Sequence, residues 1–152
     1  MTPATSTDYT AAFEAQPRIV VVLNDKIEVG RIINAASHLA LGFGASASEE
    51  TRTALNLQDY KDRDGRSHAN ISALGLVVLK ANGSQLRTLK TRADEAGIAT
   101  WDFLETMTGG TYIEQIEKTK LLPSEALDYL GVLLFGTRNQ LDPLTKKFSL
   151  FK

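Results

Sequence analysis

The sequence predicts an α/β fold, a layered and mainly parallel sheet in one domain. Residues 19–23 (IVVVL) are an apolar run without alternation, which marks a strand buried on both faces. Further strand-like stretches recur at 74–81, 98–104 and 129–135. Between them lie segments with helical spacing of apolar residues and capping residues at their ends.

Taken in order, residues 1–16 read as an N-terminal extension, partly disordered, in which 9–15 form a short helical turn packing Tyr9 and Phe13 on the body. Residues 17–152 read as a single α/β domain. Its first strand covers 18–23. A helix then runs over 30–43, with Ile32, Ile33, Ala36, Leu39 and Ala40 supplying the packing faces and Gly42 and Gly44 ending it. Residues 46–56 are polar and fit a helical turn. Asp64-Gly65 between polar alternating arms (58–61 and 66–69) reads as a small β-hairpin outside the core sheet.

The second core strand covers 74–81. Asn82 or Ser84 caps a helix to about residue 96, with Leu86, Leu89 and Ala93 on one stripe and Gly97 closing it. A third strand covers 98–104. Thr111 and Glu114 have capping-box spacing for a helix to about residue 119, with Ile113 and Ile116 facing inward. Pro123 opens a short turn through Leu127, and the fourth strand covers 129–135. Asp142 and Pro143 fit the cap and first position of a last helix.

Composition narrows the function classes. The chain has 152 residues, 43% of them apolar, and a formal net charge of -1. That length buries a good core. The charge disfavours a dedicated nucleic-acid binder, which carries a basic excess. There is no cysteine, so disulfides, thiolate catalysis and cysteine metal sites are excluded. The N-terminal residues have no basic start and no apolar run, unlike a signal peptide, and no apolar run approaches the ~20 residues of a membrane span. A soluble cytoplasmic protein is expected. With only His38 and His68, a histidine-rich metal site is not expected, and no residue pattern asks for a cofactor.

The first candidate site is Asn24, Asp25, Lys26, Gly30, Arg31, Asn34 and His38. On a helix, Arg31, Asn34 and His38 fall within an arc of about 60°. The end of a core strand and the start of the next helix is where open α/β sheets tend to place ligands. The helix N-terminus offers free N–H groups and the positive end of its dipole. Arg31 suits a carboxylate or phosphate. A histidine changes charge near neutrality, so His38 suits a general base for water, with Asp25 to orient its partners. The same side chains could instead satisfy backbone groups and make a surface ion pair.

A second candidate is the loop with Thr106, Thr108, Gly109, Gly110 and Thr111, whose hydroxyls and glycine N–H groups could receive an anion or an ester oxygen. Helix capping is its plain alternative. Asp102 and Glu105 add carboxylates whose direction the sequence leaves open. Residues 62–65 hint at a calcium loop, but Tyr60 and Ile71 would stand at its first and closing positions, so a hairpin turn fits better. Gly42-Phe43-Gly44 follows a helix rather than a strand, which is not the context of a dinucleotide turn.

The stretch RIVVVLNDKIEVGRIINAASHLALG and the tail DYLGVLLFGTRNQLDPLTKKFSL resemble an uncharacterised bacterial family known as a domain of unknown function, number two thousand. The resemblance spans about residues 18–148. That family is in turn similar to the second, archaeal and eukaryotic type of peptidyl-tRNA hydrolase. Those enzymes open with a valine-rich strand and a Gly-Lys that begins a helix with a histidine seven residues after the lysine. Gly30-Arg31 and His38 keep that spacing.

The resemblance implies a three-layer α/β/α sandwich around a four-stranded mixed, mostly parallel sheet, a homodimer, and hydrolysis of the ester joining a peptide to tRNA. Here Ala35 stands where the hydrolases have glutamine, Arg31 replaces their lysine, and FLETMTGGTY has no clean counterpart of their later loop. The expected function is therefore hydrolysis of an ester or amide in an acylated or anionic ligand, with His38 and Asp25 as catalytic residues. The alternatives are a non-catalytic module for a small anionic ligand, or an oligomeric module. A tRNA substrate is disfavoured by the net charge and would require Lys26, Arg31, Arg87 and Lys90 to cluster at the cleft.

Overall fold

The structure, a computed structural model, describes residues 6–152. Its elements are α1 (Ser6–Ala15), β1 (Pro17–Asn24), α2 (Val29–Ser46), α3 (Glu49–Ala54), β2 (Leu57–Gln58), β3 (Ile71–Ser72), β4 (Leu76–Ala81), α4 (Gly83–Glu95), β5 (Ala99–Leu104), α5 (Tyr112–Lys120), β6 (Tyr129–Thr137), α6 (Arg138–Thr145) and β7 (Ser149–Leu150). Residues 1–5 of the expected extension lie outside the described residues, as does the side chain of Tyr9. Phe13 remains half exposed, with the Arg138 guanidinium 3.9 Å above its ring.

The unbroken apolar run of β1 places it in the middle of a five-stranded sheet of order β5-β6-β1-β4-β7. Ile19, Val21 and Leu23 pack under Ile32, Ala35, Leu39 and Phe43 of α2. Val20 and Val22 turn to the other face, toward Leu86, Leu89 and Ala93 of α4 and Leu141 and Leu144 of α6. Helices thus cover both faces, and each large side chain so buried contributes roughly 1.5–3 kcal/mol.

Among the described residues only β1 and β4 pair in parallel. β6 runs antiparallel to β1 and β5, and β7 antiparallel to β4. The sheet is five-stranded and mostly antiparallel, which corrects the expected four-stranded, mostly parallel one. β1, β4 and β5 do share one direction, as the alternation of strands and helices suggests. But α5, linking β5 to β6, packs chiefly on the 3₁₀ turn Glu105–Met107 and not across a sheet face. Without a crossover the chain returns beside β5 in the opposite direction, and β6 enters between β5 and β1. β7 is too short to show a period in the sequence.

Three helices also depart from expectation. α2 runs through Gly42 and Gly44, because Phe43 and Ala47 are buried and Phe43 packs edge-on against Trp101. That burial outweighs about 1 kcal/mol of helix propensity per glycine. Its buried stripe is Ile32, Ala35, Leu39 and Phe43, whereas Ile33 is 60% exposed. α6 starts at Arg138, where Thr137 and Gln140 form a capping box. Pro143 sits inside the helix, and Asp142 makes an ion pair with Arg18 at 3.0 Å. In α5, Ile113 and Ile116 are exposed, not inward.

A hairpin forms around Gly65, but its paired strands are β2 and β3, Leu57–Gln58 and Ile71–Ser72, and not the full expected arms 58–61 and 66–69. β2 pairs with β3, Lys61 bridges Ser67, and Asp62 Oδ1 accepts from the N–H groups of Asp64 and Arg66. Among the described residues no helix is long and apolar enough to cross a membrane.

Candidate functional site

β1 and β5 run the same way, so their C-terminal ends share one edge of the sheet. After β1 the chain turns through residues 25–28 into α2. Asn24 holds this turn. Its Oδ1 accepts from Lys26 N–H at 2.9 Å, and its Nδ2 donates to Tyr129 O at 3.0 Å, at the start of β6. Asn24 is 7% exposed and fully engaged, so it shapes the site from below.

α2 then raises one polar stripe beside its buried one. Gly30, Arg31, Asn34 and His38 all line an open cavity of about 1070 Å³. The facing wall comes from the end of β5, the 3₁₀ turn and the start of α5: Asp102, Phe103, Glu105, Met107, Thr108, Gly109, Tyr112 and Gln115. The fold therefore brings together Gly30, Arg31, Asn34, His38, Thr108 and Gly109 from the two segments singled out in the sequence. Asn24, Asp25, Lys26 and Gly110 lie outside the lining. Asp25 makes an exposed pair with Lys26 at 3.7 Å. Gly110 is turned toward Glu114.

Polar contacts join the walls. Arg31 Nη2 donates to Thr108 Oγ1 at 3.2 Å and lies 3.5 Å from Glu105 Oε1. Thr108 Oγ1 donates to Glu105 O at 2.6 Å. The loop is shaped by Gly109 and Gly110, at φ of 69° and 68°, a conformation a side chain would strain. Gln115 Nε2 and Lys118 Nζ donate to the carbonyls of Gly109 and Thr108 and tie the loop to α5. The N-cap of α2, Glu28, makes no side-chain cap, and the helix has no acidic residue in its first turn.

The His38 ring stacks on Phe103, centroids 5.4 Å apart and planes at 23°. Among the described residues neither ring nitrogen makes a hydrogen bond, and the residue is exposed. Asp102 borders the cavity on the exposed edge of β5. Burial pushes its carboxyl above the ordinary carboxylate range, opposed by Lys90 and reinforced by Asp94 of α4. His68 lies outside the cavity lining, 3.3 Å from Asp62 in the hairpin. Of the four basic residues a tRNA would need, Arg31 alone lines the cavity; Arg87 pairs with Asp128 and Lys90 with Asp94. Among the described residues no group of His, Cys, Asp or Glu is placed to hold a metal ion.

Phe103, Met107, Tyr112 and Gln115 were missed by sequence reasoning. Tyr112 and Gln115 carried a usable signal, since Tyr112, Gln115, Ile116 and Thr119 are spaced as one helical stripe.

No curated protein matches the chain. A solved structure of a protein of unknown function from Agrobacterium tumefaciens strain C58 is similar, with a TM-score of 0.76 and 23% identity, over 90% of this chain and 98% of that one. At that identity the likeness speaks for the fold alone. Residues 17–152 match the family described as Protein of unknown function (DUF2000), and the chain belongs to that family.

Proposed function

We propose that the protein binds a small molecule through an anionic oxygen group, carboxylate or phosphate, in the cavity between α2 and the loop after β5. The observation that carries this is the convergence of Arg31, Asn34 and His38 on one side with Thr108 on the other. Glu105 competes for Arg31, but that pair is half exposed and 3.5 Å long, and such pairs contribute about 0–1 kcal/mol. A bidentate carboxylate or phosphate on the guanidinium is stronger, and the uncapped start of α2 adds to it. A thermal-shift panel of small carboxylates and phosphates tests the reading. A true ligand at about a hundred times its Kd stabilises by roughly 2.7 kcal/mol, and Arg31→Gln removes the shift. A shift that persists in Arg31→Gln refutes the anchor.

A second reading, favoured by the unpartnered ring nitrogens of His38, is that the bound molecule is an ester or amide and is hydrolysed. His38 takes a proton from water as its oxygen attacks the acyl carbon, then returns that proton to the leaving oxygen or nitrogen. Asn34, one turn before His38 on the same stripe, is the donor within the cavity for the developing oxyanion. Along α2, seven residues separate Arg31 from His38, about 10 Å of rise, so the cleaved bond lies well away from the anchored group.

The spacing of Gly30, Arg31 and His38, with helices on both sheet faces, supports a likeness to the second type of peptidyl-tRNA hydrolase. Ala35, where those enzymes have glutamine, is fully buried against the sheet. The mixed charge of the cavity argues for a leaving group smaller than tRNA. His38→Gln is expected to lower turnover of a carboxylate-bearing ester by a factor of about 10²–10⁴ while keeping the Arg31-dependent thermal shift. Unchanged turnover removes the catalytic role and leaves binding intact.

A further inference from the structure

The exposed side of α5 adjoins the cavity. Tyr112 is 71% and Ile116 49% exposed, large apolar surface left without partners. With Met107 as floor they form a groove of about 360 Å³ whose exposed surface is almost wholly carbon, although half its residues are polar. The hydrogen bonds explain this. Gln115 Nε2 is held by Gly109 O, Thr119 Oγ1 donates to Gln115 O and meets Thr106 Oγ1 at 2.8 Å, and Lys120 Nζ is drawn 3.0 Å from Glu117. Their polar ends are used elsewhere, and their carbon stems face the groove.

The groove and the polar cavity adjoin, with Met107, Tyr112 and Gln115 lining both. One molecule can therefore occupy the two together. We propose that the ligand is amphipathic, an acid whose charged head meets Arg31 and whose apolar chain lies along α5 over Met107, Tyr112 and Ile116. This rests on the anion-binding reading above and names the ligand class that reading leaves open. Tyr112 to Thr119 spans about 10 Å of helix, enough for a chain of several methylenes.

The test is isothermal titration with acetate, butyrate, hexanoate and octanoate, below micelle-forming concentration. A fully buried methylene raises affinity about fourfold, and a groove open on one side about twofold. Octanoate is thus expected to bind at least about tenfold more tightly than butyrate. Ile116→Ser and Tyr112→Ser should both flatten the series, and Ile116→Ser, exposed and outside the anion cavity, should do so while leaving butyrate affinity and the unfolding temperature unchanged. Arg31→Gln should weaken every member. A flat series in the wild type, with Arg31 still required, overturns the inference and spares the anion site. A rising series unaltered in both α5 variants places the chain elsewhere and also overturns it. Binding of no member overturns both.

Discussion

Arg31 and Thr108, 77 residues apart in sequence, meet across the cavity through a 3.2 Å hydrogen bond from guanidinium to hydroxyl. Thr108 donates its hydroxyl hydrogen bond to the Glu105 carbonyl, so its oxygen is oriented to accept from Arg31. The contact aims the guanidinium without neutralising it. Thr108→Val keeps the shape and removes the acceptor. Ligand affinity is expected to fall about three- to tenfold, the range of one hydrogen bond, with no loss of thermal stability. Titration of an acid that the wild type binds checks this, and equal affinity would show that Arg31 needs no such support.

Asn24 joins the ends of two strands where the site begins. Asn24→Leu deprives Lys26 N–H and Tyr129 O of their partners in a buried setting. The expected loss is about 1–3 kcal/mol. For a chain of this size that lowers the unfolding temperature by several degrees. An unfolding temperature equal to wild type would mean that water replaces both contacts.

Gly131 lies where β6 passes beneath α2. A Cβ there would stand 2.9 Å from both Leu23 Cδ2 and Leu39 Cδ1, side chains that are themselves buried. Gly131→Val is expected to destabilise by about 1–3 kcal/mol, with Gly131→Ala smaller. Leu39→Ala should partly rescue it by vacating the space. Additive losses in denaturant titration of the double variant would locate the strain elsewhere.

Asp102 predicts a pH dependence. Its carboxyl is raised in the folded state, chiefly by burial, so folding favours the protonated form. That contribution is present below the unfolded value near about pH 4 and is lost as pH rises through the folded value. Asp102→Asn carries no charge at any pH. It should melt above wild type at pH 7, with the difference shrinking toward pH 3. A constant offset would mean that the attraction of Lys90 cancels desolvation, and a wild type that gains on the variant as pH rises would mean that it outweighs it.

Local chemistry in this chain was legible residue by residue. The run from Ile19 to Leu23 announced a central strand, because only a strand covered on both faces tolerates five successive apolar side chains. The box formed by Thr111 and Glu114, the stripe of Leu86, Leu89 and Ala93, and the hairpin turn at Gly65 are likewise short-range matters. So is the polar stripe of Arg31, Asn34 and His38, since helical spacing alone puts three such residues on one side.

What the sequence could not decide was settled by contacts between distant segments. Gly42 and Gly44 look like a helix end until Phe43 is seen packed on Trp101. The placement of Asp25 off the cavity and of Tyr112 and Gln115 on it follows from where α5 docks, not from their spacing. The direction of β6 depends on α5 failing to cross the sheet, and no local preference encodes that. Hydrophobic periodicity states which face of an element is buried; which element buries it, and therefore what meets Arg31 across the cavity, is fixed only when the layers pack.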